Sequence, residues 1–227
     1  MLNKEKLKQK YSDFTGEQIL SHCDHTLLKQ DAVWEDIRKI CDEGLLGKTA
    51  SVCIPPSFVA QAYDYTQNKL PICTVIGFPN GYSTTETKEF EAIDAIENGA
   101  SEIDTVINIG NLKEKNYDAI IYELDVLREA CENKILKVII ETCMLTDDEK
   151  KKMCELVINS GADFIKTSTG FGSGGATLHD AQLMINACQG KIKVKAAGGI
   201  KTIDDAVAYL NLGVERLGTS SLFKLFC

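Results

Sequence analysis

The stretch "NSGADFIKTSTGFG", residues 159–172, holds the unit on which the fold reading turns. Gly161 sits where a left-handed residue ends a helix. "DFIKTS" then reads as a strand of apolar and β-branched residues. A glycine-rich turn follows at once. Lys166 stands where the strand should present an apolar side chain to the core. Two readings compete: a lysine reaching solvent from a strand end, or an amine held in a pocket.

The same grammar recurs along the chain. "ENGASEID" and "NLGVERLG" place Gly99 and Gly213 at helix ends, and "DEGLLGKTASV" around Gly44 is a looser copy. Strand candidates fall at 21–28, 48–54, 71–78, 101–108, 135–142, 163–168, 191–198 and 214–220. Helix starts follow them. Ser83-x-x-Glu86 and Thr146-x-x-Glu149 read as capping boxes, and Thr177-x-x-Asp180 and Thr202-x-x-Asp205 as weaker variants. Eight units over 227 residues leave about 28 residues each, near the minimum for a strand plus a crossover helix. Regular βα repetition predicts a parallel sheet, and eight units predict its closure into a (β/α)8 TIM barrel. A doubly wound open sheet is the alternative, but its strands would be almost wholly apolar. The expected layout is one α/β barrel domain over 1–227. Residues 1–19 form an N-terminal helical extension, and the last helix is short.

Hydrophobic residues make up 44% of the chain and charged residues 26%, as in ordinary globular proteins. The formal charge is 25 − 33 = −8, which disfavours nucleic acid and anionic membrane surfaces as partners. No segment is long and apolar enough to span a bilayer, and no apolar leader opens the chain. Nine cysteines, none in a C-x-x-C pair, read as reduced small apolar residues of a cytoplasmic protein. The one ligand-like cluster, His22-Cys23-Asp24-His25, lies on a strand, where neighbours face opposite ways and cannot converge on a metal.

Strand parity sorts the charges. Asp24, Asp104 and Glu141 share inward faces with Lys137, Lys166 and Lys195, three anions against three cations. Buried charges persist only when paired. Glu102, Lys193 and Lys137 lie near strand starts; Glu102 and Lys193 are expected at the wet N-terminal rim. Lys166, Lys195 and Asp104 lie toward the C-terminal halves of their strands, the end where barrel active sites form. An exposed lysine titrates near ~10.4 and must lose its proton to attack a carbonyl. Lys166 and Lys195, on adjacent strands, would each lower the other's proton affinity. A nearby aspartate relays protons. This set suits Schiff-base chemistry, and parity leaves open which lysine is the nucleophile.

Gly170, Gly172 and Gly175 match G-x-G-x-x-G, but the next strand ends in Lys195-Ala-Ala-Gly and not in the acidic residue a dinucleotide site needs. Gly198-Gly199-Ile200 and Gly218-Thr219-Ser220-Ser221 fall after the seventh and eighth strands, where barrels bind phosphate. Lys201 and the Ser220 and Ser221 hydroxyls add donors there.

Taken together, "CDHTLL", "SVCIPPSFV", "EIDTVINIG", "LKVIIET", "DFIKTSTGF", "VKAAGGIKT" and "RLGTSS" closely resemble the 2-deoxyribose-5-phosphate aldolases, in the same order from about residue 20 to residue 221. The resemblance implies a (β/α)8 class I aldolase. Such an enzyme reversibly cleaves 2-deoxy-D-ribose 5-phosphate to glyceraldehyde 3-phosphate and acetaldehyde, with no metal or other cofactor. It implies Lys166 as the Schiff-base lysine, Lys195 as its activating neighbour and Asp104 as the proton relay. It places Asp24 in the substrate pocket. The phosphosugar would rest on Gly170, Gly198, Gly199, Ile200, Lys201, Gly218, Ser220 and Ser221. It allows a homodimer. Two departures stand out. The chain ends "SSLFKLFC" without the C-terminal tyrosine of some members, so the shortened last helix is expected to uncover apolar surface. Phe171 stands where some members have lysine. A metal-free phosphosugar isomerase or epimerase, and a non-catalytic phosphometabolite-binding barrel, are the rival readings.

Overall fold

A computed structural model of the chain describes residues 2–227; Met1 lies outside the described residues. Eight parallel strands close into a barrel. They are β1 (Cys23–Thr26), β2 (Ser51–Ile54), β3 (Ile72–Ile76), β4 (Glu102–Val106), β5 (Ile135–Ile139), β6 (Phe164–Lys166), β7 (Lys193–Ala197) and β8 (Arg216–Thr219). Each pairs with the next in sequence, and β8 closes on β1. The principal helix after each strand is α1 (Trp34–Gly47), α2 (Val59–Thr66), α3 (Thr85–Glu97), α4 (Tyr117–Cys131), α5 (Asp147–Asn159), α6 (Leu178–Cys188), α7 (Ile203–Leu212) and α8 (Leu222–Leu225).

Alternation builds two different layers from one strand set. Outward residues such as Ile103, Leu136, Val138, Ile165, Val194 and Leu217 are fully or almost fully buried against the helices and make the apolar core. Inward residues carry most of the charge. Capping fixes where helices begin. Thr146 and Thr202 form reciprocal capping boxes with Glu149 and Asp205, and Thr177 accepts from the Asp180 amide. The α3 cap is Thr84 and not Ser83, because Thr84 is the residue whose hydroxyl reaches a free amide, that of Thr87. Gly99, Gly161 and Gly213 hold positive φ at helix ends. Gly44 does not: α1 runs on past it to Gly47 and ends on left-handed Lys48. Gly44 instead packs tightly on Val52 and Leu70.

The N-terminal segment is more than a helix. Residues Lys4–Lys8 are helical, Lys10–Tyr11 pair antiparallel with Phe14–Thr15, and a second helix covers Gly16–Ser21. This segment packs over α8. The Asn3 amide donates to the Phe226 carbonyl at 2.7 Å, and Lys6 Nζ donates to the Leu225 and Cys227 carbonyls. Phe226 is fully buried, with Tyr11 edge-on at 5.9 Å. The short last helix therefore leaves less apolar surface bare than its length alone implies. No helix among the described residues is long and apolar enough to cross a membrane.

Candidate active site

Asp104 sits at the centre of the barrel interior, fully buried on β4. Its Oδ2 accepts from Lys166 Nζ at 2.8 Å and Lys195 Nζ at 2.7 Å, and its Oδ1 from Lys137 Nζ at 2.8 Å. Register pairs Lys166 directly with Lys195 across β6 and β7, and Asp104 with Lys137 across β4 and β5. A second anion lies one layer down. Asp24 on β1 pairs with Lys195, with Arg216 Nη1 at 2.5 Å and with Lys137 at 3.7 Å, and accepts from the Ser51 hydroxyl at 2.7 Å. Glu102 completes the cage, 2.5 Å from Lys137 Nζ and 3.0 Å from Arg216. Gly218 makes the space: a Cβ there would stand 2.9 Å from Ala197 Cβ and 3.3 Å from Lys195 Cε.

This network differs from the sequence expectation at three places. Glu102 is not at a wet rim; it is buried because Lys137 and Arg216 both reach it. Lys193, by contrast, is exposed at the rim as expected, over the Phe164 ring. Glu141 is not among the interior anions. Its φ of +52° turns the chain out of β5 register, and its carboxylate accepts from the Thr169 amide and hydroxyl instead. Arg216 was not among the residues singled out. It lies two positions before Gly218 on one strand face, so parity had the signal.

The charges set protonation. Burial alone would push Asp104 upward, but Lys137, Lys166 and Lys195 outweigh it and hold the carboxyl well below the usual range. Burial opposes Asp24 likewise, and Lys195, Lys137 and Arg216 overcome it, keeping it an anion. Burial would depress Lys195, yet Asp104 and Asp24 raise it above an ordinary lysine. Lys137 is raised in the same way, by Asp104 foremost. Lys195 and Lys137 are therefore fixed ammonium groups at neutral pH.

Above the network opens a cavity of about 310 Å³ at the C-terminal mouth. Of the interior charges, only Lys166 lines it. Its walls include Thr26, Leu28, Thr169, Gly170, Phe171 and Ala197, and continue through Gly198, Gly199, Ile200, Lys201, Gly218, Ser220 and Ser221. The structure thus brings the glycine loops together beside Lys166. It does not bring Asp24, which lies beneath the cavity under Lys195. Loops six and seven are tied by the Ala176 amide, which donates to the Ala197 and Gly198 carbonyls at 3.0 and 3.1 Å. Gly175 permits this contact, since its Cβ would lie 2.4 Å from the Gly198 oxygen. Phe171 stands at the mouth, half exposed, edge-on to Phe78 at 5.3 Å.

The closed parallel barrel thus presents one interior amine, Lys166, at its C-terminal mouth above an ion-paired floor. Comparison gives the family. Residues 18–226 match the DeoC/LacD family aldolases, and the chain belongs to that family. It is 56% identical over 209 residues to a deoxyribose-phosphate aldolase of Clostridioides difficile (strain 630), covering 92% of this chain and 95% of the relative. It is 50% identical to one from Streptococcus pyogenes serotype M28, covering 92% and 94%. Among solved structures it resembles a tetrameric deoxyribose phosphate aldolase from Aeropyrum pernix. That match has a TM-score of 0.87 and 28% identity, covering 93% of this chain and 91% of that one.

Proposed function

We propose that the chain is a Schiff-base aldolase that reversibly cleaves 2-deoxy-D-ribose 5-phosphate to D-glyceraldehyde 3-phosphate and acetaldehyde, with Lys166 as nucleophile. One observation carries the assignment of Lys166. It is the interior amine that reaches the cavity, and Asp104 alone pairs with it, whereas Lys137 meets three carboxylates and Lys195 two. Four cations face three carboxylates in this interior, so one lost proton balances it. Lys166 is the amine with the fewest carboxylates against it. The names of the relatives support the substrate.

The chemistry follows from an amine beside a carboxylate. The neutral Lys166 amine adds to the aldehyde carbon of the open-chain sugar. Asp104 moves protons, beside the fixed Lys195 cation, as the carbinolamine loses water to a protonated imine. A base removes the proton of the third-carbon hydroxyl, and the bond between the second and third carbons breaks. Its electron pair flows into the imine, which becomes an enamine as glyceraldehyde 3-phosphate leaves. Protonation of the enamine carbon and addition of water release acetaldehyde and restore the amine. Gly170, Gly198, Gly199, Ile200, Lys201, Gly218, Ser220 and Ser221 hold the phosphate through amides, hydroxyls and one cation. Asp24 acts from below, anchoring Lys195. The substrate is a small phosphosugar and the location the cytoplasm, which the nine free cysteines fit. A homodimer belongs to the reading as well. Phe90 and Ile93 on α3 and Ile121 and Tyr122 on α4 leave apolar side chains exposed, and sedimentation reads the assembly directly.

Incubation with substrate and borohydride tests the reading. Reduction is expected to fix a stable adduct on Lys166, read by peptide mass. Turnover without an adduct there would point to an isomerase or epimerase; binding with neither would point to a non-catalytic barrel. Lys195→Leu is a second test. It removes a cation beside Lys166 and leaves Asp104 to Lys166 and Lys137 alone, so the ammonium form of Lys166 is favoured. Activity at neutral pH is expected to fall about 100- to 1000-fold, the scale of a lost preorganised charge, and the optimum to move to higher pH. An unchanged pH profile contradicts this role for Lys195.

A further inference from the structure

Two of the cysteines that read as apolar filler are not packed like filler. Cys53 on β2 and Cys73 on β3 are register partners on adjacent strands, and both are fully buried. Their sulfurs and an Asp104 carboxylate oxygen all lie within 4.8 Å of one another. The Cys73 thiol donates to Asp104 Oδ1 at 3.2 Å. Asp24 and Glu102 each bring a carboxylate oxygen within the same reach of Cys73. Lys137 Nζ lies 3.2 Å from the Cys73 sulfur and 2.8 Å from Asp104 Oδ1.

We infer that Cys53, Cys73 and Asp104 form an inhibitory binding site for a thiophilic divalent cation such as Zn²⁺ or Cd²⁺. Two thiolates and a carboxylate are a donor set that such ions select over magnesium or calcium. Zinc bonds of ~2.3 Å to sulfur and ~2.1 Å to oxygen place tetrahedral ligands about 3.5–3.8 Å apart. The Cys73–Asp104 separation of 3.2 Å is close to that, so small side-chain shifts complete the site. Charge is the obvious objection, since three lysines surround Asp104. It is met by proton release. A divalent ion enters as two thiol protons leave, so the net charge of the interior does not change. Lys137 already donates to one sulfur and to the ligating oxygen, which is the outer hydrogen bonding that metal ligands need. The cavity lies nearby: Leu28 lines it and packs on the cluster of Cys53, Cys73 and Val75, so entry needs Leu28 to swing aside.

The ion takes no part in the reaction. It occupies the Asp104 oxygen opposite the one that binds Lys166 and Lys195, and draws charge from the carboxylate those lysines share. Binding needs only the thiols and Asp104; the inhibition alone rests on the proposed aldol reaction.

The test is titration of the whole, phosphine-reduced protein with Cd²⁺. A thiolate-to-cadmium charge-transfer band is expected to saturate at one ion per chain. Two protons should be released, turnover should be lost, and a chelator should restore it. Loss of an outer partner alone costs roughly 10–100-fold in metal affinity. Cys73→Ser keeps size and donor but not the thiolate, and should therefore weaken binding about 100-fold or more. Cys143→Ser, which removes an exposed thiol, should leave the band intact. An unchanged band in both Cys73→Ser and Cys53→Ala, or a band that vanishes with Cys143→Ser, overturns the site. Saturation with turnover untouched overturns the inhibition. The borohydride adduct on Lys166 in metal-free protein separates that failure from failure of the aldolase reading.

Discussion

Lys166→Met is expected to bind the phosphosugar and not turn it over. Loss of a nucleophile costs about five to six orders of magnitude in kcat where it has been measured in other enzymes. The same scale is expected here, with no adduct after borohydride. The fold should survive. Asp104 keeps Lys137 and Lys195 at 2.8 and 2.7 Å, so no buried carboxylate is orphaned. The glycine loops that line the cavity are untouched, so substrate affinity measured by calorimetry should change by less than tenfold, about 1.4 kcal/mol. Lys166→Arg is the companion variant. It keeps the charge facing Asp104 but is never a free amine at neutral pH, so it should be as inactive as the methionine variant. Either variant retaining turnover within about tenfold (1.4 kcal/mol) of the parent removes Lys166 as the nucleophile and leaves Lys195 to be tested next.

Sequence parity found the interior because the fold obeys a period of two on every strand. Asp24, Asp104, Lys137, Lys166 and Lys195 all face inward as their positions require. Parity gives the face and not the depth. Glu102 begins its strand and looked wet, but its burial comes from Lys137 and from Arg216, the latter 114 residues away in sequence. No local pattern carries that contact. Glu141 failed for the opposite reason: parity holds only while the backbone is extended, and a φ of +52° ends it. The last helix misled because its cover is supplied by residues 3–16, at the other end of the chain. Apolar content showed that α8 needed burial, and not what would bury it. The cysteines read as small hydrophobes because composition is blind to which of them meet. The proposed choice of Lys166 over Lys195 came only from the family resemblance, not from parity. In three dimensions the distinction is one of access to the cavity.

Asp104→Asn is the change expected to damage both stability and catalysis. The side chain keeps its shape and loses the charge that three ammonium groups share. Four cations then face two carboxylates. Breaking a buried ion pair by removing one partner costs about 3–5 kcal/mol, and each 1 kcal/mol lowers Tm by roughly 2–4 °C for a chain of 150–250 residues. A fall of roughly 6–20 °C follows from those two scales. The pH dependence should change sign. In the parent, Lys137 and Lys195 are raised in the folded state, so their contribution is complete below the unfolded value of ~10.4 and fades as pH rises beyond it. In the variant the carboxylate that does most to raise both lysines is gone, and burial, which lowers them, is opposed among carboxylates only by Asp24 and Glu102. A buried lysine depressed in the folded state costs stability while it must stay charged, so the variant should become more stable as pH climbs from 7 toward 10. Denaturant midpoints across that range, taken for both proteins, decide the matter. Parallel pH curves would mean that Asp104 is a spacer and not the anion that holds this interior together.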